Sequence, residues 1–220
     1  MSENLIQRVF TSLLLFSILL LCLHLNRYLW LFLIILASII SFFEFSNLIK
    51  KIWKKNKSPI YLLNIICLFY LYFFILVVYQ DGRINQFNIL YILSMCILSD
   101  IGGYVIGKSF GGKKLTKISP NKTINGSIGS FILPLTLVPL FFYILSEEFN
   151  SIFVLVILAI IVSFICQLGD LFISFLKRKA NVKDTGDLLP GHGGILDRID
   201  GIIFALPLGI MIWEFLIFII

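Results

Sequence analysis

The chain has 220 residues, of which 59% are hydrophobic, with a formal charge of +6 and a mean hydropathy of +1.01. Charged residues make up only 14%, well short of the quarter usual in soluble domains, which excludes a water-soluble globular fold. Lipid alone can solvate so much Leu, Ile and Phe, and an open sheet leaves its backbone groups unsatisfied there, so the predicted fold class is an all-α integral membrane protein.

In chain order, about seven apolar stretches are long enough to span a bilayer: roughly 9–25, 28–46, 59–79, 87–107, 127–145, 150–176 and 202–220. The first follows a single Arg8, and no small-residue cleavage site succeeds it, so a retained helix is expected rather than a signal peptide. With the N-terminus cytoplasmic, 16 of the 18 Lys and Arg residues fall on the inner side, and only Arg27 and Arg83 lie outside. The short outer loop "SEEFN" is acidic. The positive-inside rule therefore sets the orientation, and the basic balance is explained without nucleic acid. Cys22, Cys67, Cys96 and Cys166 each sit in an apolar run without metal-ligand spacing, as small buried hydrophobes do. No internal repeat or low-complexity tail is visible. Only the inner loops 108–126 and 177–201 have room for chemistry.

Asp100 and Asp170 lie too deep for ordinary surface charges. Lys108 stands eight residues beyond the first and Lys177 seven beyond the second. At 1.5 Å per residue each carboxylate is about 10 Å inside the basic boundary, where an unpaired charge costs a few kcal/mol. Asp170, Ser174, Lys177 and Arg178 share one helical face, as do Asp100, Gly103, Tyr104, Gly107 and Lys108. The glycines leave room for a helix or ligand to approach the backbone. Loop 108–126, "KSFGGKKLTKISPNKTING", combines five lysines with Gly, Ser and Thr, a composition that suits phosphate, although the order of a Walker P-loop is absent. A solvated topogenic loop is the plainer alternative.

The segment 184–200, "DTGDLLPGHGGILDRID", holds four of the twelve acidic residues and four of the fifteen glycines. Asp197 and Asp200 are three apart at the start of the last span, so a continuous helix puts them on one face beside free amides. Hard oxygen ligands without a Cys or His cluster point to Mg²⁺ rather than Zn²⁺. Lys, Arg and Mg²⁺ together are the equipment of phosphoryl or nucleotidyl transfer. His192 is expected to contact phosphate or fill the turn, with a general-base role as the lesser alternative.

"SFLKRKANVKDTGDLLPGHGGILDRID" (174–200) resembles the signature of the phosphatidate cytidylyltransferase (CDP-diacylglycerol synthase) family, and "SDIGGYVIGKSFGGKKLTKISPNKT" resembles its second motif block. The resemblance covers about 88–201; the N-terminal helices match only in hydropathy. It implies an enzyme making CDP-diacylglycerol and pyrophosphate from CTP and phosphatidic acid at the inner (cytoplasmic) membrane, with Mg²⁺ and, in some forms, a monovalent companion such as K⁺. By motif position it implies Asp170 and Asp197 as metal ligands, with Asp200 and Asp100 as supporting acids. Lys122, Lys177, Arg178 and Lys183 would hold phosphates, and Ser174 is the signature serine. Thr123, Asp184, His192 and Arg198 complete the implied substrate-binding set.

Three features depart from the family pattern. Ile124-Asn125-Gly126 stands where Trp-Glu-Gly is common, Ile173 replaces a Glu before the serine, and the N-terminal helices are fewer than in many members. The expected organisation is one polytopic membrane domain, 1–220. Within it, 1–87 are N-terminal helices, 88–201 the catalytic core and 202–220 the last helix. Expected partners are CTP, phosphatidic acid and the bilayer, with no nucleic acid and a homodimer left open. Three alternatives compete: another CTP-dependent lipid-phosphate or polyprenol-phosphate enzyme, an ion or anion transporter, and a non-catalytic lipid-binding protein.

Overall fold

A computed structural model describes residues 17–54, 57–84, 86–116, 118–145, 151–188 and 193–219. The helices are α1 (17–25), α2 (Arg27–Ile52), α3 (Lys57–Ile84), α4 (Gln86–Phe110), α5 (Ile124–Leu135), α6 (Val138–Ile144), α7 (Ile152–Lys179), α8 (Leu196–Ile199) and α9 (Ile202–Ile219). No strand occurs among the described residues, beyond one isolated bridge between Lys114 and Thr123. Six segments are long and apolar enough to cross a membrane: Arg27–Ile52, Lys57–Asp81, Gln86–Phe110, Ile124–Ile144, Ile152–Lys179 and Leu196–Phe218. The chain is thus a multi-pass membrane protein by length and composition. Of the first expected span, 9–16 lie outside the described residues and 17–25 are helical.

Several helices outrun the apolar stretch that announced them. Lys50 and Lys51 form the last turn of α2, because apolar pattern marks only the lipid-facing length while lysine is itself a good helix former. The fifth span is broken instead. Pro134 lies inside α5, Thr136 Oγ1 donates to the Leu133 carbonyl at 2.7 Å, and α6 restarts with a proline in its first turn. Proline removes a backbone donor and crowds the preceding turn, so a run that reads as one helix becomes two.

The chain divides into two compact units, residues 1–86 with 176–199 and residues 87–175 with 200–220. In the first, α2 packs on α3. Trp30 Nε1 donates to the Val78 carbonyl at 3.4 Å, and Asn64 Nδ2 donates to Ser46 Oγ at 3.2 Å near the other end, so the pair is antiparallel. Where α7 ends, Asn181 takes a positive φ of 55°, Asn181 N donates to the Arg178 carbonyl and Val182 N to the Lys177 carbonyl. This is a Schellman cap with Asn in the left-handed position. It turns the chain sharply into the 184–200 segment.

In the second unit Tyr91, fully buried, ties four helices together. Its hydroxyl donates to the Leu155 carbonyl at 2.6 Å, and its ring meets Phe141 at 4.9 Å and Trp213 at 5.4 Å edge to face. Around it Ile92, Met95, Cys96, Leu158, Val162 and Ala205 are wholly buried. The glycines of α4 are where α5 crosses. A Cβ on Gly129 would stand 2.6 Å from both the Gly102 carbonyl oxygen and Ile106 Cβ, and one on Gly126 would stand 2.7 Å from the Gly103 oxygen. A backbone oxygen cannot step aside, so Gly129→Ala should cost about 3 kcal/mol by overpacking. Thermal unfolding of the purified protein reads this as a clearly lower midpoint; an unchanged midpoint would mean the two helices do not meet there.

Candidate active site

The lysine-rich loop is an ordered hairpin, more than a string of boundary charges. Leu115 N donates to the Lys122 carbonyl at 2.8 Å and Ile124 N to the Lys113 carbonyl at 2.9 Å. Gly111 and Gly112, at φ of 56° and 106°, supply the left-handed turn that leads into it. Thr123 then caps α5, accepting from Gly126 N at 3.0 Å. The fold thereby delivers Lys122 to α7, where its Nζ pairs with Asp170 Oδ2. Ser174 Oγ donates to Asp170 Oδ1 at 3.3 Å, one turn along the same helix. Asp100 lies close enough to Asp170 and Lys122 for both charges to act on it.

Asp170, Lys122 and Ser174 are thus in contact within the second unit, with Asp100 near enough to feel both charges, which leaves two carboxylates to one ammonium; Thr123, next to Lys122 in the chain, serves as the α5 cap. That surplus negative charge and the hard oxygen donors fit Mg²⁺, which is usually held by one or two carboxylates with substrate phosphates completing its shell. Among the described residues, no three Asp, Glu, His or Cys side chains form a dedicated metal cage.

The family-pattern departures have simple accommodations. Asn125 lies against Gly112, and Ile173 is buried, 2% exposed. Gly126, which the family pattern keeps, sits at the tight α4–α5 crossing. Lys108 instead meets Tyr104, with Nζ 3.3 Å from its hydroxyl and 5.5 Å from its ring centre.

The first unit holds a second lysine–aspartate pair. Lys177 Nζ donates to Asp197 Oδ1 at 2.6 Å, with the aspartate side chain only 5% exposed. Asp197 Oδ2 accepts from Thr185 N at 2.7 Å, Thr185 Oγ1 at 2.9 Å and Gly194 N at 3.0 Å. Gly193 has a φ of 82°, and a Cβ there would press on Asp197 Oδ2 and on Asp184. Lys183, Asp184 and Arg198 are exposed. Arg178, Arg198 and Asp200 each have an interaction partner. His192 lies outside the described residues.

One sequence expectation needs revision. Asp197 and Asp200 do not share a helical face: α8 stops at Ile199, Asp200 is in a turn, and α9 starts at Ile202. Asp200 and Gly201 form the turn, and Gly201 lets the chain pass close to α7, its Cα 3.2 Å from where a Cβ on Gly169 would be. Asp170 and Asp197, the two expected metal ligands, fall in different units.

Sequence reasoning missed Glu44. It sits on α2, 7% exposed, and accepts from Thr185 Oγ1 at 2.7 Å, Leu196 N at 2.9 Å and Ile195 N at 3.0 Å. The signal was available: like Asp100 and Asp170, Glu44 is a carboxylate within an apolar span.

The model of the cytidylyltransferase family matches residues 54–216, which include both lysine–aspartate pairs. The chain is 42% identical over 129 residues to a phosphatidate cytidylyltransferase of Bacillus subtilis, covering 57% of this chain and 48% of that protein. It is 49% identical over 124 residues to one from Staphylococcus haemolyticus, covering 54% and 46%. It is 45% identical over 136 residues to one from Staphylococcus aureus, covering 59% and 50%. The matched region thus spans about half the length of these relatives. With the family pattern extending from the start of α3 through most of α9, this chain belongs to the cytidylyltransferase family.

Proposed function

We propose that this chain transfers a cytidylyl group from CTP to phosphatidate, forming CDP-diacylglycerol and pyrophosphate at the cytoplasmic face of the inner membrane. The carrying observation is that two signature aspartates of an apolar helical protein each hold a lysine, Asp170 with Lys122 and Asp197 with Lys177. Relatives at 42–49% identity that are named phosphatidate cytidylyltransferases support the substrate. The excess of basic residues on one set of loops supports the cytoplasmic side.

A phosphatidate phosphate oxygen attacks the α-phosphorus of CTP in line, and pyrophosphate departs. The attacking group is already anionic, so catalysis is mostly positioning and charge neutralisation. Lys122 and Lys177, with Arg178 and Lys183, bind the phosphate oxygens. In the second unit Asp170, supported by Asp100 and Asp200, would hold Mg²⁺, whose positive charge offsets the negative charge of the phosphates; in the first unit Asp197 is the metal ligand that motif position implies. Ser174 orients Asp170, and the amides of Thr185 and Gly194 orient Asp197. Lipid tails remain in the bilayer while the headgroup enters sideways, which suits carboxylates placed just below the interface.

Membranes containing the protein, given phosphatidate, Mg²⁺ and each nucleoside triphosphate in turn, should form a liponucleotide and pyrophosphate with CTP. Product from a polyprenol phosphate but not phosphatidate would replace the proposed acceptor. Solute flux into vesicles without CTP, and no product, would replace the enzyme with a transporter.

A further inference from the structure

Glu44 stands on a helix that carries none of the signature residues, yet its carboxylate is enclosed by the signature loop. Both oxygens are used: Oε1 accepts from Ile195 N at 3.0 Å, and Oε2 from Leu196 N at 2.9 Å and Thr185 Oγ1 at 2.7 Å. Its donors lie 141 to 152 residues away in sequence. The loop backbone closes around it. A Cβ on Gly186 would stand 2.9 Å from Glu44 Oε1, and one on Gly194 would stand 2.5 Å from Glu44 Cδ. All these residues belong to the first unit. The amides of Ile195 and Leu196, at the start of a four-residue helix, have no intrahelical acceptor. Glu44 therefore supplies what the short helix cannot.

The same loop atoms reach Asp197. Thr185 gives its backbone N–H to Asp197 Oδ2 at 2.7 Å and its hydroxyl to Glu44 at 2.7 Å, while that hydroxyl oxygen is also 2.9 Å from Asp197. Gly194 N, the next amide before Ile195, donates to Asp197 as well. One residue thus bridges two carboxylates, and consecutive amides are shared between them: Gly194 to Asp197, Ile195 and Leu196 to Glu44.

We propose that Glu44 is a positioning residue for the cytidylyl-transfer site, holding Thr185 and the 194–196 backbone so that Asp197 presents its Oδ1 edge at the angle catalysis needs. The inference rests on the proposed cytidylyl-transfer function. Glu44 itself touches no reacting group; it acts through Thr185 and the α8 amides. Asp cannot replace it, being one methylene too short to meet all three donors. Gln places an NH₂ against a donor, so at least one of the three bonds is lost.

The test uses the full chain in detergent or proteoliposomes, with Glu44→Gln, Thr185→Val and the double variant. Loss of one charge-assisted bond should lower kcat about tenfold or more in Glu44→Gln while KM for CTP changes little. The double variant should be slowed by less than the product of the two single effects, because the Glu44–Thr185 contact is lost in both. Backbone amide exchange in 193–197 should rise in Glu44→Gln, with a thermal midpoint near that of the unaltered protein. Unchanged kcat, multiplying single effects, or a loss of rate explained by loss of folded protein would each overturn the proposal. If the unaltered chain makes no CDP-lipid, the functional reading fails alone. Amide exchange then still decides whether Glu44 holds the loop: a rise supports the holding role, and unchanged exchange removes it.

Discussion

Asp197→Asn should abolish CDP-lipid formation, by at least about a thousandfold, while the protein remains membrane-inserted and folded. The expectation follows from how the two carboxylate oxygens are used. Oδ2 accepts from the amides of Thr185 and Gly194, and an Asn carbonyl placed there keeps both bonds. Oδ1 faces Lys177 Nζ at 2.6 Å, where an Asn NH₂ meets a donor with a donor. The substitution thus removes the charge and spares the loop geometry. In a reaction catalysed by positioning and charge compensation, a lost charge falls on the transition state; one preorganised electrostatic contact is worth about 10²–10³ in rate, and here a second contact, the lysine pairing, is lost with it. Incorporation of labelled CTP into lipid provides the measurement, with exposed Asp187 on the same loop as the substitution control. Retention of more than about a tenth of the activity would remove Asp197 from the site. Disappearance of the protein from membranes would make its role structural.

Lys177→Met should be the most destabilising single change at the site, by about 3 kcal/mol. Methionine matches the lysine stem in length but leaves the Asp197 carboxylate, 5% exposed, without its cation. Removing one partner of a buried ion pair strands the other charge in a poorly solvated place. For a chain of this size that corresponds to a fall of about 10 °C in thermal midpoint. The double variant Lys177→Met/Asp197→Asn should recover much of the loss, because no charge is then stranded. A midpoint within a degree or two of the unaltered protein in Lys177→Met would show that the three hydrogen bonds to Oδ2 alone sustain the carboxylate. The equivalent change at Lys122 should cost less, since Lys122 and Asp170 are 31% and 21% exposed and water screens what is left.

The two lysine–aspartate pairs share a design. In each, a cation arrives from a position remote in sequence from its acid, and a hydroxyl or amide fixes the carboxylate from another side. Phosphate binding by these lysines requires that they exchange a carboxylate for a phosphate oxygen. A lysine suits such exchange better than an arginine, because its compact ammonium is not committed to a bidentate fork.

Composition and hydropathy by themselves determined that the protein is helical and crosses a membrane, because bilayer thickness and backbone hydrogen bonding leave a long apolar chain few alternatives. Spacing alone marked Asp170 with Ser174, and the glycine face of α4, since contacts three, four or seven residues apart are fixed by helix geometry. The tertiary structure decided the rest. It broke the 127–145 run near Pro134 and Pro139, ended the helix of Asp197 at Ile199 so that Asp200 lies in the turn before α9, and folded the 113–124 loop so that Lys122 meets Asp170. It also set Glu44 under the signature loop, across 141 residues of intervening chain. Local periodicity records which face a residue occupies and how deep it lies; which distant donors meet a buried carboxylate depends on how the helices and loops pack, and no short-range pattern encodes that.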